Sequence, residues 1–284
     1  RGGALDHTTI CLAARHHAVH LRYADNHAAL VPLPSDKYRW VTFFSQAADK
    51  GREVMLEYNE RAAVARLLIP ALLESWKTND QNLYSRWMDA VDFWKTGVRG
   101  LEGEGIQALL EQSLPESLSL AETRERFPET FQQCQRAFPA LVAERLEQPL
   151  KLRDRALHHV GEIRRVEQAV QLLTSSHDND AKMRQLGQWI NDSHFSLRDL
   201  YEVCTPDVDH LWETITAHPQ VYGARLIGGG FGGNVLALTV AENVTSLIDR
   251  VQRNYYDPQQ RNGIGEGAVM VSTPGAGISA MTEQ

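Results

Sequence analysis

Apolar residues recur at spacings of three and four from residue 59 to residue 77, where Ala62, Ala65, Leu68, Ala71 and Leu72 share one face. That period predicts an amphipathic helix. The same period predicts helices over 83–95, with Trp87, Val91 and Trp94 in step, and over 129–147. A longer helix follows over 152–175, striped by Val160, Ile163, Val166, Val170 and Leu173, and another over 181–199, with Met183, Leu186, Ile190 and Leu197. Residues 4–14 form a further helix whose N-cap region holds Asp6, Thr8 and Thr9. Pro206 opens a helix with Asp207 in its first turn, where a carboxylate suits the helix dipole.

Strand-like runs cover 17–23 and 39–44, separated by the turn-forming Pro32-Leu33-Pro34-Ser35-Asp36. Residues 96–121 hold Gly97, Gly100, Gly103, Gly105 and Pro115 and read as a connector. The C-terminal part changes period. A strand over 222–227, a glycine run, a strand over 235–240, a helix over 244–255 and a strand over 268–272 predict an α+β domain with a small antiparallel sheet.

Composition narrows the function class. Hydrophobic residues make up 43% and charged residues 23% of 284, enough for a core. The net charge of −7 argues against binding a phosphate backbone, which needs a basic face. No apolar run approaches the ~20 residues that a membrane-spanning helix needs. Cys11, Cys134 and Cys204 are three and far apart, so they suggest neither a disulfide framework nor a metal spacing, and a cytoplasmic setting is expected. His16, His17 and His20 have no partner pair at ligand spacing. A start at Arg1-Gly2-Gly3, with no Met and no signal peptide, suggests a piece of a larger fold.

The run Gly228-Gly229-Gly230-Phe231-Gly232-Gly233 satisfies G-x-G-x-x-G by letter, with Asp249 downstream. A dinucleotide fingerprint must open a helix, whereas Gly233 is followed by the strand-like Asn-Val-Leu-Ala-Leu-Thr-Val. No Lys-Ser/Thr pair follows to make a Walker A loop. Two readings stay open. One is a plain hairpin turn. The other is a loop that a nucleotide phosphate, a sugar or another backbone approaches closely, which would justify an entropic cost of roughly 0.5–1 kcal/mol per glycine.

The segment Val221-Tyr222-Gly223-Ala224-Arg225-Leu226-Ile227, continuing into the glycine run, resembles the third motif of the GHMP sugar kinases in its galactokinase form. Arg155-Ala156-Leu157-His158-His159-Val160-Gly161-Glu162 is similar to the galactokinase segment R-A-x-H-V-x-x-E. Ser193 to Val203 resembles S-H-x-S-L-R-D-x-Y-x-V, and Pro206-Asp207-Val208-Asp209 resembles P-E-L-D. Gly3-Ala4-Leu5-Asp6 is similar to the family's G-x-x-D, and Glu57-Tyr58-Asn59 with Arg61 to its E-Y-x-x-R.

The resemblance implies an α+β fold: part of a GHMP-kinase N-terminal domain over 1–60, a helical region with an insertion over 61–150, and a ferredoxin-like C-terminal domain over 151–284. It implies a sugar 1-kinase that phosphorylates the anomeric hydroxyl of galactose or a related hexose with ATP and Mg²⁺. Asp6 would be the catalytic carboxylate; its alternative is a helix cap. Gly3, Tyr58 and Gly229 would hold the sugar, and Gly228, Gly230, Gly232 and Gly233 would form the nucleotide and active-site loop. The alternative for Tyr58 is an ordinary half-buried aromatic; Glu162, Arg164 and Arg165 could be a solvated charged face, and the resemblance implies a packing or ion-pair role for them. His194 reads as a satisfied core histidine. The expected partners are the hexose and ATP, acting on a monomer, with no nucleic acid and no membrane.

The departures concern the sugar. His7 replaces the usual Gln after the catalytic Asp. Thr42-Phe43-Phe44-Ser45-Gln46 replaces an Asn-Ser segment, residues 76–150 run long, and Asn234 stands where Cys is common. Galactokinases place an arginine motif and the phosphate loop G-x-G-L-S-S-S-A ahead of G-x-x-D, where this chain begins. These 284 residues alone are therefore expected to be inactive. The alternative is a galactokinase-like sugar and ATP sensor without catalysis.

Overall fold

A computed structural model describes residues 5–23, 25–34, 36–87, 103–175, 180–259 and 267–277. The expected sugar contact at Gly3, the second half of the helix expected over 83–95, and Gly97 and Gly100 lie outside these residues. Two compact units result. The first contains residues 1–48, 165–198 and 203–284; the second contains 49–164 and 199–202.

Strand pairing explains the first unit. Helix α1 (Leu5–Leu12) is followed by a hairpin of β1 (His17–Arg22) and β2 (His27–Pro32). β2 had no strand signal, because its last residue is the proline that opens the turn-rich segment. β3 (Tyr38–Gln46) pairs antiparallel with β7 (Gly233–Val240) on one side and β8 (Val269–Ser272) on the other. β6 (Val221–Ile227) completes a four-stranded antiparallel sheet ordered β6-β7-β3-β8. From Trp40 onward β3 alternates part-exposed and buried residues, and its pairings put a strand far upstream in the middle of the C-terminal sheet.

The second unit is helical. α2 (Arg52–Asn79) begins earlier than its apolar period suggested and buries Leu56, Val64, Leu67, Leu68, Leu72 and Trp76. Pro70 lies inside it and removes one ladder donor. α3 (Gln81–Trp87) follows. The glycine-rich connector turns out to contain α4 (Gly103–Ser113), whose Ile106 and Leu110, with Leu114 just beyond, are buried in the same core. After the short strand β4 (Leu118–Ser119), α5 (Leu120–Arg126) starts with a reciprocal cap between Ser119 and Glu122. The helix expected over 129–147 is broken into α6 (Pro128–Ala137) and α7 (Pro139–Glu144). A residue before proline is pushed out of helical conformation, and Phe138 has ψ 58°. β5 (Pro149–Leu150) pairs with β4.

α8 (Leu152–Thr174) contributes residues 152–164 to the second unit and 165–174 to the first. Val160 is buried, whereas Val166 is 44% exposed, so the apolar stripe is not continuous. In the first unit, α9 (Asp180–Phe195) runs into a π-helical turn over Ser196–Leu200. α9 lies on β6 through a pair of glycines. A Cβ at Gly187 would come within 2.1 Å of the Tyr222 carbonyl oxygen, and one at Gly223 within 2.1 Å of that of Gly187. α10 (Pro206–Thr216) is capped by Thr205, and α11 (Val244–Val251) follows β7.

Candidate functional site: a glycine turn and a buried arginine cluster

The glycine run is the turn between β6 and β7, and Gly233 already belongs to β7. Gly228, Gly230, Gly232 and Gly233 have φ of 89°, 84°, 118° and 97°, and Phe231 among them has φ 58°. Glycine takes this left-handed backbone without strain, which accounts for the composition. The Phe231 N–H donates to the Val203 carbonyl at 2.7 Å, and the Ser45 hydroxyl donates to the Gly233 carbonyl at 2.8 Å. A Cβ at Gly230 would lie 2.5 Å from the Val203 Cβ, and one at Gly232 would lie 2.8 Å from the Ala47 carbonyl oxygen. At Gly230 and Gly232 the close neighbours are the chain's own Val203 and Ala47. Gly228 and Gly229 are exposed, with open space around a Cβ at Gly228.

Three of the recognised motifs meet in the second unit. Arg61 and Arg155 are 4% and 1% exposed. The Arg61 guanidinium donates to the carbonyls of Glu57 (3.0 Å), Tyr201 (3.1 Å) and Glu202 (3.0 Å), and to the Glu60 carboxylate at 2.5 Å. Arg155 donates to the Leu200 carbonyl and, at 2.8 Å, to the Glu202 carboxylate, which Lys151 also pairs. Burial pushes the Arg61 pKa down, with Glu60 opposing it. Burial alone would raise that of Glu202, but the bonds from Lys151 and Arg155 hold it below the usual carboxylate value. His158 stacks on Tyr201 with ring centroids 4.2 Å apart, and burial holds His159 below the ordinary imidazole value. The E-Y-x-x-R, R-A-x-H and L-R-D-x-Y-x-V segments were legible; their convergence on Tyr201 and Glu202 was not.

The remaining expected residues are on other elements. Asp6 lies exposed in the first turn of α1, one residue inside the helix rather than at its cap. α1 buries no residue. Tyr58 lies on α2 and is 57% exposed, and belongs to the second unit where Asp6 and the glycine turn belong to the first.

His194 is fully buried and stacks on Trp212, with ring centroids 4.9 Å apart. Its Nε2 lies 3.4 Å from an Asp209 carboxylate oxygen, and with Cys204 the three ligand-type atoms fall within 4.8 Å of one another. A metal-bound imidazole donates its second N–H to an acceptor. Here that second nitrogen, Nδ1, accepts the Leu226 N–H at 3.3 Å. With Nδ1 accepting, Nε2 is the ring nitrogen that faces the Asp209 oxygen.

Residues 165–257 match the family described as GHMP kinases C terminal. The chain carries a GHMP kinase C-terminal domain in an α+β fold. More narrowly, part of the chain is similar to galactokinases. The galactokinase of the dog, Canis lupus familiaris, is 42% identical over 101 residues, which are 36% of this chain and 24% of that protein. That of Clostridium perfringens (strain SM101 / Type A) is 38% identical over 114 residues, 40% of this chain and 28% of that one. The crystal structure of Lactococcus lactis galactokinase complexed with galactose shares the fold. Its TM-score is 0.60 at 23% identity, over 98% of this chain and 55% of that one. This chain thus spans about half the length of that galactokinase, and its matched stretches span about a quarter of the two curated relatives. No described helix is long and apolar enough to cross a membrane.

Proposed function

We propose that the protein supplies the C-terminal part of an ATP-dependent sugar 1-kinase acting on the anomeric hydroxyl of galactose or a related hexose. The galactokinase relatives, together with the exposed glycine tip at Gly228 and Gly229, carry this reading. Asp6 orients or deprotonates the sugar hydroxyl, and Gly3 and Tyr58 hold the sugar. The backbone N–H groups of the glycine tip face a phosphate or a sugar hydroxyl, as donors aimed at developing charge do in phosphoryl transfer.

Mg²⁺ accompanies ATP in this chemistry. It takes oxygen ligands, whereas the three-residue cluster that the described residues bring within ligand distance is His194, Cys204 and Asp209. That set does not fit, and no step is derived through the metal. In the family, turnover also uses an arginine motif and the phosphate loop G-x-G-L-S-S-S-A.

Titration of the chain with galactose and with ATP by calorimetry tests the binding claim; heat from neither would overturn it. In a full-length protein containing this chain, Asp6→Asn lowers turnover by about 10²–10⁴ with little change in stability. Unchanged turnover with a lowered melting temperature would make Asp6 a helix-dipole residue only. Sugar and ATP binding without turnover in the full-length protein would favour the sensor reading.

A further inference from the structure

The pairing of β3 with β7 slips by one residue beside the glycine turn. Phe44 pairs with Asn234 and Gln46 with Gly233, so Ser45 is an extra residue on β3. Such a β-bulge disrupts the ladder and re-aims side chains, often next to functional sites. Ser45 lies in the segment that departs from the galactokinase pattern, and it is fully buried. Gly233, opposite the bulge, starts β7 with a left-handed φ of 97°.

A shielded carbonyl in a disrupted ladder needs another donor. At the bulge, hydroxyls supply it. The Ser45 hydroxyl donates to the Gly233 carbonyl at 2.8 Å, and the Tyr256 hydroxyl donates to the Phe44 carbonyl at 2.8 Å. The next residue is tied as well, because the Gln46 side-chain amide donates to the Thr205 hydroxyl at 3.1 Å. Beyond it, the main chain of Ala47 and Ala48 lies against Gly232. A Cβ there would come within 2.8 Å of the Ala47 carbonyl oxygen and 3.0 Å of the Ala48 Cα. Ser45 and Ala47 therefore hold the two glycines at the exit of the turn, one by a hydrogen bond and the other by contact.

We propose that Ser45 is a positioning residue for the glycine turn. Glycines alone leave the turn many paths, because each takes φ of either sign. The Ser45 hydroxyl selects one of them by fixing the Gly233 carbonyl where the turn rejoins β7. The middle of the turn is fastened separately, by the Phe231 N–H on the Val203 carbonyl, so that bond reports whether the turn keeps its shape. That the turn meets a sugar or a nucleotide rests on the reading above; that Ser45 shapes the turn does not.

Amide hydrogen exchange on the full chain, without ligand, tests this. Ser45→Ala removes one hydroxyl and should make the Phe231 amide exchange about tenfold faster, the effect of one buried hydrogen bond, while the β3–β7 ladder around Val41 and Ala237 keeps its rates. Thr239→Val is the control. The fully buried Thr239 hydroxyl donates to the Gln220 carbonyl at 2.8 Å, a bond of the same kind at the far end of the β6–β7 pair. Its loss should leave the Phe231 rate unchanged. A hydroxyl that only adds stability predicts equal acceleration of Phe231 in both variants. That result, an unchanged Phe231 rate in Ser45→Ala, or uniform acceleration of the ladder would overturn the proposal. If Ser45→Ala does not fold, Ser45→Cys decides. Its thiol donates weakly, so Phe231 should again exchange faster, and an unchanged rate would overturn the assignment. Because exchange is read without ligand, failed titrations with galactose and ATP would overturn the reading above and leave this one standing.

Discussion

The glycine turn and the arginine cluster both hold backbone in conformations that local preference disfavours, by opposite means. In the turn, side chains are removed. Four glycines take left-handed φ, and two admit Val203 and Ala47 at distances that no Cβ tolerates. In the cluster, long side chains are buried, and the Arg61 and Arg155 guanidinium groups satisfy main-chain carbonyls within the unit. The turn is vulnerable to added atoms and contains no titratable group. The cluster is vulnerable to lost partners and to protons, because each buried charge depends on its neighbour.

The largest expected effect is on the cluster. Arg155→Met leaves the Leu200 carbonyl without its guanidinium and the Glu202 carboxylate with Lys151 alone, a loss of about 3 kcal/mol, at the low end for buried pairs because Glu202 is partly exposed. Urea unfolding should show a correspondingly lower midpoint; a loss under about 1 kcal/mol would mean that the pair only balances its own desolvation.

Next comes the turn. Gly230→Ala places a Cβ against Val203 at φ 84°, and overpacking of this kind costs about 1–3 kcal/mol. Gly228→Ala meets no neighbour and carries only the backbone strain, about 1 kcal/mol. Chemical denaturation of the two variants side by side measures the difference. Equal losses would show that strain alone governs the turn.

The smallest effect is pH dependence, and it should separate the two regions. His159 has a folded pKa below its usual 6.5 because of burial. Its stabilisation is therefore complete above pH 6.5 and is lost as pH falls toward the lowered folded value. Glu202 lies below its usual 4.5, where the Lys151 and Arg155 bonds outweigh burial. Its contribution is present above pH 4.5 and fades below it. Urea midpoints measured from pH 7.5 to 4 should fall with pH, and His159→Phe should flatten the decline between pH 6.5 and 5. The loss caused by Gly230→Ala should be the same at every pH in that range, since nothing in the turn titrates.

Regular period and residue type by themselves determined much of this molecule. The helices α8, α9 and α10 and the β6–turn–β7 unit are all local. A helix or hairpin states its pattern within a few neighbouring residues, and a glycine run states its conformational freedom directly. Even here locality misled. Gly103 and Gly105 hid α4, whose burial depends on Ile106 and Leu110 meeting α2. β2 was hidden by the proline at its end.

Tertiary structure alone decided which partner each local signal would find. β3 is placed between β7 and β8 across some two hundred residues, because hydrogen-bonding edges pair by geometry and not by distance along the chain. Arg61 meets Glu202 across 141 positions, and no spacing rule connects them. The glycines could be read as inviting close approach, but only folding shows that Val203 and Ala47 take that space at Gly230 and Gly232. The physical reason is the same throughout. Propensity is a property of a segment, whereas burial, charge pairing and steric exclusion are properties of the groups that folding brings next to it.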